Sequence, residues 1–132
     1  MMEFSTKAGT LRNLAGKLTT AQLLPQVCLT AGEARSRPAR AITLLRDAGL
    51  LERRLIVRSS AQNEDTAECS NAGKYLSIPD VKGETDILRT VAQVAESMGP
   101  DPENQILIQP FLADVELCGV AFTVDPNTGG NY

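Results

Sequence analysis

At 132 residues and 42% hydrophobic content, the chain is long enough for one globular core, and no apolar run approaches the roughly 18 residues of a membrane span. An acidic balance (net charge -3) and only 4% aromatic content argue against a nucleic-acid surface, which needs basic residues interleaved with stacking ones. No histidine is present, which excludes Ser-His and Cys-His nucleophile systems, His-ligated zinc and a phosphohistidine within the chain.

The start, Met1-Met2-Glu3-Phe4-Ser5, carries no signal-peptide apolar core. Cys28, Cys69 and Cys118 form no CxxC pair and read as reduced, core-packed thiols of a cytoplasmic protein. Charge is unevenly spread: residues 1–58 hold ten Lys and Arg against four Asp and Glu, and residues 59–132 hold three against twelve. Uneven solvated surface explains this, and so does a nucleotide site with a cationic phosphate wall facing carboxylates.

Taken in order, Ser5 and Thr6 can cap a first helix whose Leu11, Leu14, Ala15 and Leu18 recur at helical spacing. Leu23 to Thr30 reads as a strand, given its length and Pro25. Pro38 early and Gly49 late punctuate a short helix through Ile42 and Leu45. Leu55-Ile56-Val57 is a core strand delivering Arg58, Ser59 and Ser60 at its C-terminal end, and residues 61–73 form a polar loop. A short strand over Lys74–Ile78 follows, then an amphipathic helix over Thr85–Met98 ended by Gly99-Pro100-Asp101-Pro102. Ile106-Leu107-Ile108 and Leu117–Val124 read as two further strands. Without a regular βαβ repeat, the order favours an α+β fold with a mixed, largely antiparallel sheet and flanking helices. The ending, Asp125-Pro126-Asn127-Thr128-Gly129-Gly130, is a turn that leads onward, so residues 1–132 read as one partial domain of a longer protein.

Several residues can carry chemistry. Arg58 with Ser59 and Ser60 groups a guanidinium fork, hydroxyls and backbone N–H donors suited to phosphate, although a strand-end pair with Glu64 or Asp65 fits equally. Ala72, Gly73 and Lys74 lie in a small-residue loop able to approach an anion closely. Lys7, where a loop enters the first helix, could join helix N-terminal N–H groups around a phosphate or be an ordinary surface lysine. Gln109, Phe111 and Leu112 follow an apolar strand, where an adenine ring finds backbone edges and apolar faces; Phe111 also suits the core.

The order and wording of these segments say more than any one alone. Leu55-Ile56-Val57-Arg58-Ser59-Ser60-Ala61, then Glu64-Asp65, then Ser70-Asn71-Ala72-Gly73, resembles the signature of the nucleotide-binding domain of pyruvate phosphate dikinases and phosphoenolpyruvate synthases. Ile108-Gln109 and Gly119-Val120-Ala121-Phe122-Thr123-Val124-Asp125-Pro126 with Thr128-Gly129 resemble a later segment of that family. Lys7 with Leu11 is similar to its entry loop, and Leu24-Pro25 to Thr30 to its next strand.

The resemblance implies the front portion of an ATP-grasp fold, in which two α+β lobes clamp ATP with magnesium between them. It implies catalytic roles on the phosphates for Arg58 and Lys7, a covering loop at Ala72, Gly73 and Lys74, and Gln109 beside adenine. Ser5-Thr6 stands where the family has paired glycines, and the loop after Gly73 is shorter than usual. The magnesium ligands of the family fall beyond residue 132, and the histidine that accepts the phosphoryl group sits on a separate domain. Two functions follow: the ATP-binding part of a dikinase-type phosphotransferase acting with phosphohistidine and acceptor domains, or a catalytically incompetent nucleotide-binding or interaction fragment.

Overall fold

A computed structural model describes residues 6–61, 65–66, 69–70, 76–119 and 127–130. Helix α1 (Lys7–Leu14) is followed by strand β1 (Val27–Thr30), α2 (Ala31–Ser36), α3 (Ala39–Asp47) and β2 (Leu55–Ser60). Then come β3 (Asp65–Thr66), β4 (Cys69–Ser70), β5 (Ser77–Val81), α4 (Glu84–Ser97) and β6 (Gln105–Pro110). The α+β expectation holds. Strands β1-β6-β2-β5 form a four-stranded sheet with every neighbour antiparallel, and β3 pairs β4 separately.

Alternation along the strands assigns the two faces of the sheet. Val27 and Leu29 of β1, Leu55 and Val57 of β2, Val81 of β5, and Ile106 and Ile108 of β6 point to the side covered by α2, α3 and α4. They meet Ala34, Ala41, Ile42, Leu45, Ile87, Val91, Val94 and Ala95 in one core. Full burial of each large side chain there contributes about 1.5–3 kcal/mol, so this layer carries the stability of the fold. Helix α4 supplies its share because Ile87, Val91, Val94 and Ala95 recur at three- and four-residue spacing on one stripe.

Local chemistry explains the element ends. Thr30 and Glu33 form a reciprocal capping box that starts α2 directly at the end of β1: Glu33 N donates to Thr30 Oγ1 at 3.1 Å and Thr30 N to Glu33 Oε2 at 2.9 Å. This helix lies outside the sequence expectation, yet Thr30-Ala31-Gly32-Glu33 carries its signature. At the other end, Arg35 donates to three carbonyls at the α4 terminus: Ala95 O at 2.8 Å, Gly99 O at 2.5 Å and Pro100 O at 3.4 Å. Ala95 O is one of the carbonyls a helix end leaves unpaired, and Gly99 O and Pro100 O belong to the turn that follows.

Other boundaries moved. Helix α1 stops at Leu14 rather than running to Leu18, because the chain turns at Gly16 with φ 75°, and Ala8 is its one buried residue. Strand β1 begins only at Val27, past Pro25. Arg58, Ser59 and Ser60 are the last three residues of β2, at its C-terminal end as expected. Within the expected loop 61–73, Asp65–Thr66 and Cys69–Ser70 pair as a small antiparallel ladder. Strand β5 is displaced three residues toward the C-terminus, where Val81 reaches the core opposite Leu55. The expected strand over Leu117–Val124 is absent at Leu117–Gly119, with Leu117 91% exposed, and Val120–Val124 lies outside the described residues.

Candidate functional site

The side of the sheet turned away from the three helices carries the residues of interest. Because side chains alternate, Arg58 of β2 lies on this side between Ile56 and Ser60, and Gln109 of β6 lies here with Leu107 and Gln105. Register sets their neighbours. Leu107 stands between Cys28 and Arg58 in one row across three strands, and Ser77 of β5 extends that row. Ile56 pairs with Gln109, so Arg58 and Gln109 are diagonal neighbours, about 7–8 Å apart at the backbone in such ladders.

One end of this face is closed by α1. Ser60, at the last position of β2, is fully buried, and its Oγ accepts a hydrogen bond from Ala8 N at 3.0 Å. Thr6 caps the helix by accepting from Gly9 N at 3.1 Å, and its hydroxyl donates to Gln105 Oε1 at 2.8 Å. Ser60 and Gln105 are themselves paired in the β2–β6 register. Gln26 adds a longer contact, its Nε2 donating to Ala8 O at 3.4 Å, while its Oε1 is a buried acceptor with no partner among the described residues.

The helix then reaches β1, where Arg12 contacts Cys28; burial raises the Cys28 thiol above its ordinary range, with Arg12 opposing that shift. Lys7, the first residue of α1, is exposed and enters at the same sheet end as Ser60, two positions along β2 from Arg58. Two residues of extended strand span about 7 Å, within reach of long cationic side chains converging on one ligand. Arg58 is half-buried and belongs to none of the ion pairs among the described residues. Glu64 and the Asp65 side chain lie outside those residues.

The geometry sharpens one expectation about this end. The N–H groups of Ala8 and Gly9, donors that an anion at the helix start would seek, already serve Ser60 and Thr6. What Lys7 brings to the site is therefore its ammonium.

The remaining expected residues are spread out. Ser59 alternates to the helix-covered side, 4% exposed, with its N–H donating to Leu76 O at 3.2 Å. Phe111 leaves β6 at the far end, where its N–H donates to Arg54 O at 2.9 Å and the Arg54 guanidinium lies 5.2 Å from its ring centroid. Arg54 Nε also donates to Asp80 Oδ1 at 2.5 Å, and this contact holds the Asp80 carboxyl below its ordinary range. Leu112 is 54% exposed beyond this cluster. Ala72, Gly73 and Lys74 lie outside the described residues.

A family model described as the pyruvate phosphate dikinase AMP/ATP-binding domain matches residues 33–102, more than half of the chain. The chain belongs to this family. No curated protein and no solved structure matches it. The segment matched to the dikinase domain runs from α2 through α4 and includes Arg58, Ser59 and Ser60, while Lys7 and Gln109 flank it. The antiparallel sheet with helices over one side is accordingly ATP-grasp-like. Among the described residues no group of three or more Cys, Asp or Glu could hold a metal ion. None of the described helices is long and apolar enough to cross a membrane.

The joint of Ser60, Thr6 and Gln105 is not legible in the sequence. A Thr ahead of a helix was a readable cap, but that its hydroxyl would meet Gln105 depends on a register nothing local encodes.

Proposed function

We propose that this chain is the ATP-binding part of a dikinase-type phosphotransferase of the cytoplasm, which passes a phosphoryl group from ATP to a histidine carried on another domain. The observation behind this reading is the entry of Lys7 beside Ser60, two positions from Arg58 on the face of the sheet turned away from α2, α3 and α4. Two neighbouring cationic groups suit a transfer in which the P–O bond to the nucleotide breaks as a P–N bond forms on the imidazole. Little covalent chemistry falls to the protein, and positioning and charge neutralisation dominate. Arg58 grips phosphate oxygens with its planar fork and Lys7 supplies a point charge. Ala72, Gly73 and Lys74 cover the phosphates, and Gln109, as the diagonal neighbour of Arg58, lies toward the adenine. In the same reading Phe111 and Leu112 complete the base pocket once Arg54 yields the ring face. Magnesium would supply further neutralisation of the phosphates when bound, and none of these assignments depends on it.

Titration calorimetry of the chain with MgATP tests the reading. Arg58→Ala should weaken binding about tenfold to a hundredfold, as expected for loss of a charge-assisted contact worth about 1.5–3 kcal/mol. Unchanged affinity would remove Arg58 from the site.

A further inference from the structure

Helix α1 has little apolar hold on the rest of the molecule. It is eight residues long and fully buries Ala8 alone, with Leu11 and Leu14 half-buried, whereas isolated helices of this length are unstable in water. Polar contacts at its first turn take over that role. The Ser60 hydroxyl receives Ala8 N, the Gln105 side chain receives the Thr6 hydroxyl, and both acceptors sit on adjacent strands in one register pair. Ser60 is fully buried, so its hydroxyl cannot be replaced there by bulk water.

We infer that Ser60 is a positioning residue: by holding the first turn of α1 on the sheet, it fixes where the Lys7 ammonium stands relative to Arg58. The inference rests on the ATP-binding reading for its consequence, though not for the clamp itself. It separates two serines that the sequence presents as equivalent. Ser59 faces the helix-covered side and Ser60 faces α1. It also assigns Gln105 the second half of the clamp through Thr6.

Two measurements on the whole chain test this. Amide hydrogen exchange, read without nucleotide, should show Ser60→Ala accelerating exchange at Ala8 and across α1 while leaving α4 protected. Thr6→Ala should do the same, and Thr6→Ser, which keeps the hydroxyl, should restore protection. Unchanged exchange at α1 in both Ser60→Ala and Thr6→Ala overturns the clamp.

Calorimetry with MgATP then forms a cycle with Lys7→Ala. If Ser60 acts through Lys7, each single variant weakens binding about tenfold and the double variant only slightly more, because partners in one unit are not additive. Independent effects would multiply to about a hundredfold, and that result refutes the positioning role. Arg35→Ala, on the opposite layer, controls for general destabilisation and should leave ATP affinity intact. A wild-type chain with no ATP affinity would sink the function proposed above, and the exchange data would still decide the clamp.

Discussion

Removing the Arg35 guanidinium is the sharpest test of how the helical layer is held together. In the folded chain Arg35 donates to Ala95 O, Gly99 O and Pro100 O, so one side chain from α2 serves the carbonyl end of α4. A hydrogen bond from a charged donor contributes about 1.5–3 kcal/mol when shielded, and a cation at a helix C-terminus adds about 0.3–1 kcal/mol. Arg35 is exposed, and water can partly replace it at these carbonyls, so the sum is far below three full bonds. Arg35→Ala should therefore cost about 1–2 kcal/mol, and Arg35→Lys, which keeps charge but loses the fork, about half of that. At about 4 °C per kcal/mol for a chain of this size, the alanine variant should melt about 4–8 °C lower. Circular dichroism melts and urea titrations of both variants give the answer. The comparison is Arg37→Ala, an exposed arginine whose side chain makes no hydrogen bond among the described residues and whose loss should stay within about 0.5 kcal/mol. If Arg35→Ala and Arg37→Ala melt together, the cap contributes nothing in solution and the account of α4 is wrong.

Other perturbations reach different parts of the molecule. At Gly32 an added Cβ would stand 3.0 Å from Pro102 Cβ and 3.3 Å from Pro102 O, a rigid neighbour that also accepts the Gly32 N–H. Crowding of about 1–3 kcal/mol should outweigh the helix-propensity gain of about 1 kcal/mol, so Gly32→Ala should lower the urea midpoint, and a stabilised variant would show that the 100–102 turn gives way. Asp80 has its pKa depressed by Arg54, so its contribution is present above the ordinary carboxylate range and fades as pH falls through the depressed value. Asp80→Asn should flatten the acid side of a stability-pH curve and leave the slope above pH 7 alone; parallel curves at low pH would dismiss the contact. Burial raises the Cys28 thiol, whereas Cys118 is exposed, so limiting maleimide followed by peptide mass mapping should label Cys118 well before Cys28. Equal rates would place Cys28 outside the cover of α1.

Much of the architecture was legible because the relevant signals are local. The α4 stripe, the Pro38 and Gly49 punctuation of α3, and the apolar runs at Leu55 and Ile106 depend on residues near them in the chain. Helix α2 was equally local, in the Thr30–Glu33 capping box, and was passed over because β1 and α2 meet without a loop. The spacing of Leu11, Leu14, Ala15 and Leu18 favours a longer α1, while Gly16 stops the helix first. The site divides along the same line. Arg58 could be singled out by residue type, and its family context supplied the phosphate reading. That Ser59 and Ser60 face opposite ways follows only once β2 is known to continue through them. The displacement of β5 is a tertiary matter too: Val81 is what fits opposite Leu55.

The position of β6 has a consequence for how the chain acquires its shape. Both β1 and β2 pair with β6, and they never pair with each other. Among the described strands β1 pairs with β6, so during synthesis that ladder waits until residues 105–110 have been made, since the contact of Val27 with Ile108 spans most of the chain. Up to that point, among the described residues, the β2–β5 and β3–β4 ladders and the helices can assemble. Closing so long a loop carries an entropic cost before any contact repays it, and contacts of this kind slow folding. Insertion of Gln105–Pro110 between its two neighbours is thus the step that makes one sheet out of separate strands. Because Gln105 arrives with that same strand, the joint beneath α1 is completed in the same event that completes the core.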